Sequence, residues 1–284
     1  MWTRRGLIAG SALLPLAARA GDNPEGLIAA IEKRVGGRLG VAALDTGTGR
    51  RIGWRADERF AMCSTFKLLL AAAVLKRVDE GQEHLDRVIA YSKADILPHA
   101  PVAEANLAKG GLSVERMAEA VIEDSDNTCA NKLIDTLGGP GGVTAYARSL
   151  GDEVTRLDRR ELDLNTAIEG DPRDTTSPRA MLVDLKQLAL GDALSRPSRE
   201  KLLRWLVNCN TAAERIPKGL PAGWTSGNKT GTGENGATND VAIVWRPNRS
   251  PLLIAVYFTA AKVPLGARES VIANVGRIVS DFSQ

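Results

Sequence analysis

The chain has 284 residues, 44% hydrophobic and 25% charged, which is ordinary for a soluble globular protein and enough for one large domain or two interleaved lobes. Its formal charge of +3 comes from the first twenty residues: without Arg4, Arg5 and Arg19, 34 basic residues face 34 acidic ones. The absence of a basic stripe with interleaved aromatics argues against nucleic acid as a partner, and two histidines and three cysteines without a cluster argue against a metal site and call for no cofactor.

Residues 1–20, MWTRRGLIAGSALLPLAARA, combine a basic start, an apolar stretch too short to span a bilayer comfortably, and a small-residue ending, Ala18-Arg19-Ala20. This predicts a signal peptide, and the paired Arg4-Arg5 fits the twin-arginine type; the alternative is an N-terminal anchor. Export to the periplasm or medium follows, with no membrane anchor after processing. PEGLIAAIEKRVG then has helical spacing and stops at glycine, and RLGVAALDTGTGRRIGWRAD reads as a hairpin. A helix is expected over 64–78, followed by SVERMAEAVIED, NTCANKLIDTLGG, VTAYARSLG, SPRAMLVDLKQLAL and SREKLLRWLVN, all helical in pattern. Between them, 152–177 is long, charged and weakly periodic, a kind of connection that is usually functional or disordered. GWTSGNKTGTG, DVAIVWRP and LLIAVYFTA follow as consecutive antiparallel strands, and ARESVIANVGRIVSDF closes the chain as a helix. Strands at both ends of a helical middle predict one sheet assembled from both termini, with a helical insertion as a second lobe.

Three short patterns carry chemistry. In Ser64-Thr65-Phe66-Lys67, positions i and i+3 share a helix face, so Lys67 can approach Ser64 Oγ and take its proton. A helix start also offers free N–H groups to developing negative charge, although a serine there is by default a cap. Ser125-Asp126-Asn127 lies between two helical stretches. It reads either as a capping tripeptide or as a relay hydroxyl, an inward-facing aspartate and an amide donor to substrate. Lys229-Thr230-Gly231-Thr232-Gly233 is a glycine-rich turn, or a strand whose buried lysine is used and whose glycines admit a ligand.

In this order and at these separations, the three patterns resemble those of the class A serine β-lactamases and penicillin-binding proteins. The 152–177 stretch favours the former: Glu161, Leu164 and Asn165 match the family's E-x-x-L-N motif, and Arg159 and Asp174 its loop-closing salt bridge. The resemblance covers about 24–282. It implies an α+β fold in which a five-stranded antiparallel sheet is flanked by helices (21–60 and 209–284), with an all-helical lobe (61–208) and the active site in the cleft between them. It implies hydrolysis of β-lactam antibiotics, small molecules, by a monomer. Ser64 is the nucleophile, Lys67, Ser125 and Glu161 move protons, and Asn165 helps hold the hydrolytic water. Asn127, Lys229, Thr230, Gly231 and Thr232 contact substrate, with an oxyanion hole at the N–H groups of Ser64 and Thr232. His99 takes the place of a ring flanking the cleft entrance, whereas His84 lies in a charged segment, so neither histidine reads as a triad base.

Several positions depart from the family's pattern. Thr238 stands where many members have a carboxylate-binding arginine, and Glu269 where others do; Arg215 matches a third placement. Cys63 occupies one half of the disulfide of carbapenem-hydrolysing members, but Gly233 occupies the other, so the bond is expected to be missing and all three thiols free. The rival readings are a D,D-peptidase that deacylates slowly, which the presence of Glu161 and Asn165 opposes, a non-catalytic β-lactam sensor, and an esterase of similar fold.

Overall fold

A computed structural model describes residues 23–283; the expected signal peptide lies outside the described residues. Helix α1 (Pro24–Val35) is capped by Asn23, whose side chain accepts from Gly26 N–H, and it ends at Gly36. Strands β1 (Arg38–Asp45) and β2 (Arg51–Trp54) form the expected hairpin, and the two-residue β3 (Phe60–Ala61) leads to a 3₁₀ turn at Cys63–Thr65. Helix α2 (Phe66–Asp79) follows. Ten consecutive residues of α2, Phe66 to Leu75, are buried, all apolar except Lys67, so this helix runs through the core.

The middle of the chain adds β4 (Val88–Ala90), α3 (Pro101–Ala105), β5 (Gly111–Ser113), α4 (Val114–Glu123), α5 (Asn127–Thr136), α6 (Pro140–Ser149), β6 (Thr175–Thr176), α7 (Pro178–Leu190) and α8 (Arg196–Val207). Strands β7 (Thr225–Thr232), β8 (Thr238–Arg246) and β9 (Arg249–Thr259) precede the closing helix α9 (Leu265–Asp281).

The five-stranded antiparallel sheet has the order β2-β1-β9-β8-β7. The last strand therefore lies beside the first, with Val41 opposite Val256, so the sheet is built from both ends of the chain. Both of its faces are buried. Along β9, Leu253, Ala255 and Tyr257 join the core around α2, α4 and α7, while Leu252, Ile254, Val256 and Phe258 join Ile28 and Ile31 of α1 and Val271, Ile272 and Val275 of α9. Two-sided burial explains why LLIAVYFTA is an unbroken apolar run and not an alternating one.

The 3₁₀ turn is held against the sheet. Asn239 on β8 donates through Nδ2 to Ala61 O and Met62 O (both 2.9 Å). On β7, a Cβ at Gly231 would sit 2.6 Å from Met62 O and 3.2 Å from Ser64 N, so glycine lets the strand approach the turn. From the other side, residues 159–174 fold back over the turn on two stems. Met62 N donates to Asp174 O (2.9 Å), and β3 pairs with β6.

Candidate active site

Ser64 lies in the 3₁₀ turn, one residue short of the α2 cap, and its Oγ caps nothing. The expected regular helix start is displaced by this tighter turn, and the hydroxyl is left for side chains. Lys67 Nζ donates to it at 3.2 Å, and it donates to Glu161 Oε1 at 3.5 Å. Lys67 is fully buried, and its ammonium is surrounded by acceptors: Glu161 Oε1 at 2.9 Å, Asn127 Oδ1 at 2.6 Å, and Ser125 O and Oγ at 2.8 and 3.4 Å. A buried lysine is tolerable because its charge is paired and its donors are satisfied.

Ser125, Asp126 and Asn127 divide three tasks. Ser125 has φ near +58°, a left-handed conformation that is uncommon for a residue with a Cβ and clusters at functional sites. Its Oγ sits between two lysines, 3.4 Å from Lys67 Nζ and 3.1 Å from Lys229 Nζ. Asp126 faces inward, as the sequence suggests. It caps α5 through Cys129 N–H and accepts from Val102 and Ala103 N–H, all within 3.0 Å. Asn127 is anchored by its Nδ2 on Pro98 O.

Lys229 on β7 is also fully buried and donates to Thr230 O at 3.0 Å. Burial pushes its ammonium down to about 7, and the charges of Lys67 and Arg215 act in the same direction. Thr230 Oγ1 meets Thr211 Oγ1 at 2.5 Å.

Glu161 is carried by the 159–174 segment. Asn131, one turn after Asn127 on α5, donates to Glu161 O and accepts from Glu161 N, fixing the backbone in both directions. Asn165 Nδ2 donates to Glu161 Oε2 at 2.5 Å. The segment is pinched by Arg159 Nε on Asp174 Oδ2 (2.5 Å), while Asp174 Oδ1 accepts from the N–H groups of Asp158 and Arg159.

Arg215 is 4% exposed and donates to Gly231 O, Asn239 O and Thr232 Oγ1 at 3.0, 2.7 and 2.6 Å. Glu269 stands 3.4 Å from it, and Arg268 donates to Thr238 Oγ1 at 3.1 Å. His99 stands apart: its exposed ring lies 3.0 Å from Asp124 O, and only its backbone carbonyl meets the group, by accepting from Asn127 N. Cys63, Cys129 and Cys209 are free; burial pushes the Cys63 thiol up to about 12, and a Cβ at Gly233 would lie 2.6 Å from its sulfur.

Sequence reasoning missed Asn131, Thr211, Asn239 and Arg268. For Asn131 the only available signal is its i+4 spacing from Asn127. Among the described residues no group of three or more His, Cys, Asp or Glu could hold a metal ion, and no helix is long and apolar enough to cross a membrane.

The chain's relatives carry the same reading. The profile of the β-lactamase enzyme family matches residues 24–283. The chain is 46% identical over 275 residues to the β-lactamase CTX-M-8 of Citrobacter amalonaticus, covering 97% of this chain and 93% of that one. It is 47% identical over 253 residues to the β-lactamase AST-1 of Nocardia asteroides, covering 89% and 81%. The solved structure of an ancestral (GNCA) class A β-lactamase superposes with a TM-score of 0.90 at 55% identity, covering 92% of this chain and all of that one. With that family profile across nearly every described residue, the chain belongs to the β-lactamase enzyme family, as a class A serine β-lactamase.

Proposed function

We propose that this β-lactamase opens the β-lactam ring through an ester on Ser64 and releases it with a water activated by Glu161. Hydrolysis of the β-lactam ring is the activity of the class, and resistance to β-lactam antibiotics is its consequence. The observation that carries the residue assignment is the buried Lys67–Glu161 pair, both members of which reach Ser64 Oγ.

Ser64 Oγ attacks the ring carbonyl and its proton passes into that pair. The N–H groups of Ser64 and Thr232 receive the oxyanion. The C–N bond breaks, and the ring nitrogen takes the proton of Ser125 Oγ, whose hydroxyl is resupplied through Lys67 and Lys229. Glu161, with Asn165 on its other oxygen, then takes a proton from water. The resulting hydroxide attacks the ester, and Ser64 leaves with its hydroxyl restored. Asn127 orients the substrate amide, while Lys229, Thr230, Gly231, Thr232 and Arg215 line the strand edge where the substrate carboxylate docks. His99 borders the entrance. The cluster is complete within one chain, so a monomer suffices. Class A β-lactamases typically act in the periplasm or outside the cell, and Arg4-Arg5 assigns export here to the twin-arginine route.

Stopped-flow with a chromogenic cephalosporin tests the assignment. Wild type should turn over many times; Glu161→Ala should give one stoichiometric burst and a trapped ester on Ser64 by mass spectrometry; Ser64→Ala should do neither. A single burst from wild type would favour the D,D-peptidase or sensor reading instead, and turnover by Ser64→Ala would remove the nucleophile.

A further inference from the structure

A group of buried polar atoms without partners lies away from the Ser64 cluster. Asp184, on α7, has no exposure, and neither carboxyl oxygen meets a hydrogen-bond donor. Asp152 Oδ2 and Tyr146 Oη are likewise buried and unpartnered. Among the described residues, the charged and titratable groups acting on them lie on three neighbouring elements. Tyr146 and Arg148 belong to α6, Tyr257 to β9, and Asp79 and Glu80 to the end of α2. Among the described residues the one cation acting on Asp184, Arg148, is committed to Asp152 O, Thr155 O and Glu153, and Tyr257 Oη is taken up by Thr65. Two ionised carboxylates here would face each other in a poorly polarisable interior with no donor to Asp184 or to Asp152 Oδ2, an expensive state relieved by binding a proton. Burial, and then the neighbouring Asp152, push the Asp184 carboxyl up to about 9. One proton converts like charges into a donor–acceptor pair, joining Asp152 Oδ2 to one orphaned oxygen of Asp184.

We propose that Asp152 and Asp184 form a buried acid pair that holds one proton through neutral pH, and that this proton fastens both stems of the 159–174 loop to α7. Asp152 Oδ1 accepts from the N–H groups of Val154 (2.6 Å) and Thr155 (3.0 Å), which sets the first stem. That stem meets the second through Thr155 Oγ1 on Thr176 Oγ1 (2.6 Å) and Arg156 N on Thr175 O (3.0 Å). The second stem runs through Ser177 directly into α7, which returns Asp184 to Asp152 and closes the ring.

In the unfolded chain both carboxyls are ionised above about pH 5. Folding of wild type therefore takes up one proton at this site, and folding of Asp184→Asn, which keeps the shape and supplies its own donor, takes up none. Urea unfolding of both mature proteins from pH 5 to 8 should show the wild-type unfolding constant rising relative to the variant by about tenfold per pH unit. An independent readout needs no variant: the infrared difference between wild type at pH 7 and pH 10 should contain the carbonyl stretch of a protonated carboxylic acid. A ratio flat with pH, or a spectrum without that band, overturns the proposal. A ratio that follows sodium or potassium concentration but not pH also overturns it, in favour of a bound cation.

Discussion

Arg215 braces two strands and, in the proposed mechanism, also serves the site. Its guanidinium bridges β7 and β8 through Gly231 O and Asn239 O, and its second terminal nitrogen reaches Thr232 Oγ1, beside the proposed carboxylate dock. Because those bonds fix its orientation in advance, its charge is presented without further ordering. Removing it costs one charge-assisted contact, about 1.5–3 kcal/mol, or roughly ten- to a hundredfold. Arg215→Ala should therefore raise KM for a carboxylate-bearing penicillin by about that factor and change kcat much less, while leaving KM for the corresponding methyl ester nearly unmoved. Equal losses on acid and ester would mean that Arg215 only braces the strands. At this scale the sequence was most legible where chemistry is local: Ser64 with Lys67, and Glu161 with Asn165, lie within one or two turns of each other. Asn131, Thr211, Asn239 and Arg268 act on partners 19 to 178 residues away, and nothing in their immediate neighbours marks them.

Among the elements, the 159–174 loop matters most, since it carries Glu161 yet has little regular structure of its own. What shapes it is the wholly buried Asp174, which receives Arg159 Nε and two backbone N–H groups. Removing one partner of a buried pair leaves the other charge uncompensated, at about 3–5 kcal/mol. Arg159→Ala should thus loosen the loop without unfolding α2 or the sheet: amide exchange should accelerate across 159–174 only, and deacylation should slow more than acylation. Uniform acceleration over the whole chain would contradict this division. The long helices and the last three strands were readable because each carries several periods of its apolar pattern. The pairs β3–β6 and β4–β5, two and three residues long, carry no period at all. The 3₁₀ turn at Ser64 was hidden for a different reason: tertiary hydrogen bonds from Asn239, and not local propensity, hold the segment ahead of it.

For the molecule as a whole, the pattern of strands at both ends foretold a sheet made from both termini, but the seat of β9 between β1 and β8 is set by long-range packing that no local pattern encodes. The same long-range burial controls how stability varies with pH. Paired carboxylates such as Asp45, where Arg246 and turn amides outweigh burial, are held below their ordinary value and contribute fully once pH exceeds about 4. Burial acts the other way on Asp240 and Asp184, raised to about 6 and about 9. Each holds a proton in the folded chain that the unfolded chain has released, so stability falls as pH climbs from the carboxylate range to those values. Lys229, lowered to about 7, is neutral above that pH in the folded chain while still charged in the unfolded one, so it adds stability from pH 7 to about 10.5. General charge repulsion is small near neutrality, because 34 basic residues balance 34 acidic ones beyond residue 20. The expected profile therefore peaks near pH 5, loses roughly 4 kcal/mol by pH 7 as two and then one of the raised carboxyls oppose it, and stays level to about pH 9, where the effects of Asp184 and Lys229 cancel. Urea titrations at pH 5, 7 and 9 measure it directly. With Asp184→Asn the level stretch should become a rise, because only Lys229 still acts there; a wild-type stability that climbs from pH 5 to 7 would mean that these buried carboxyls hold no proton.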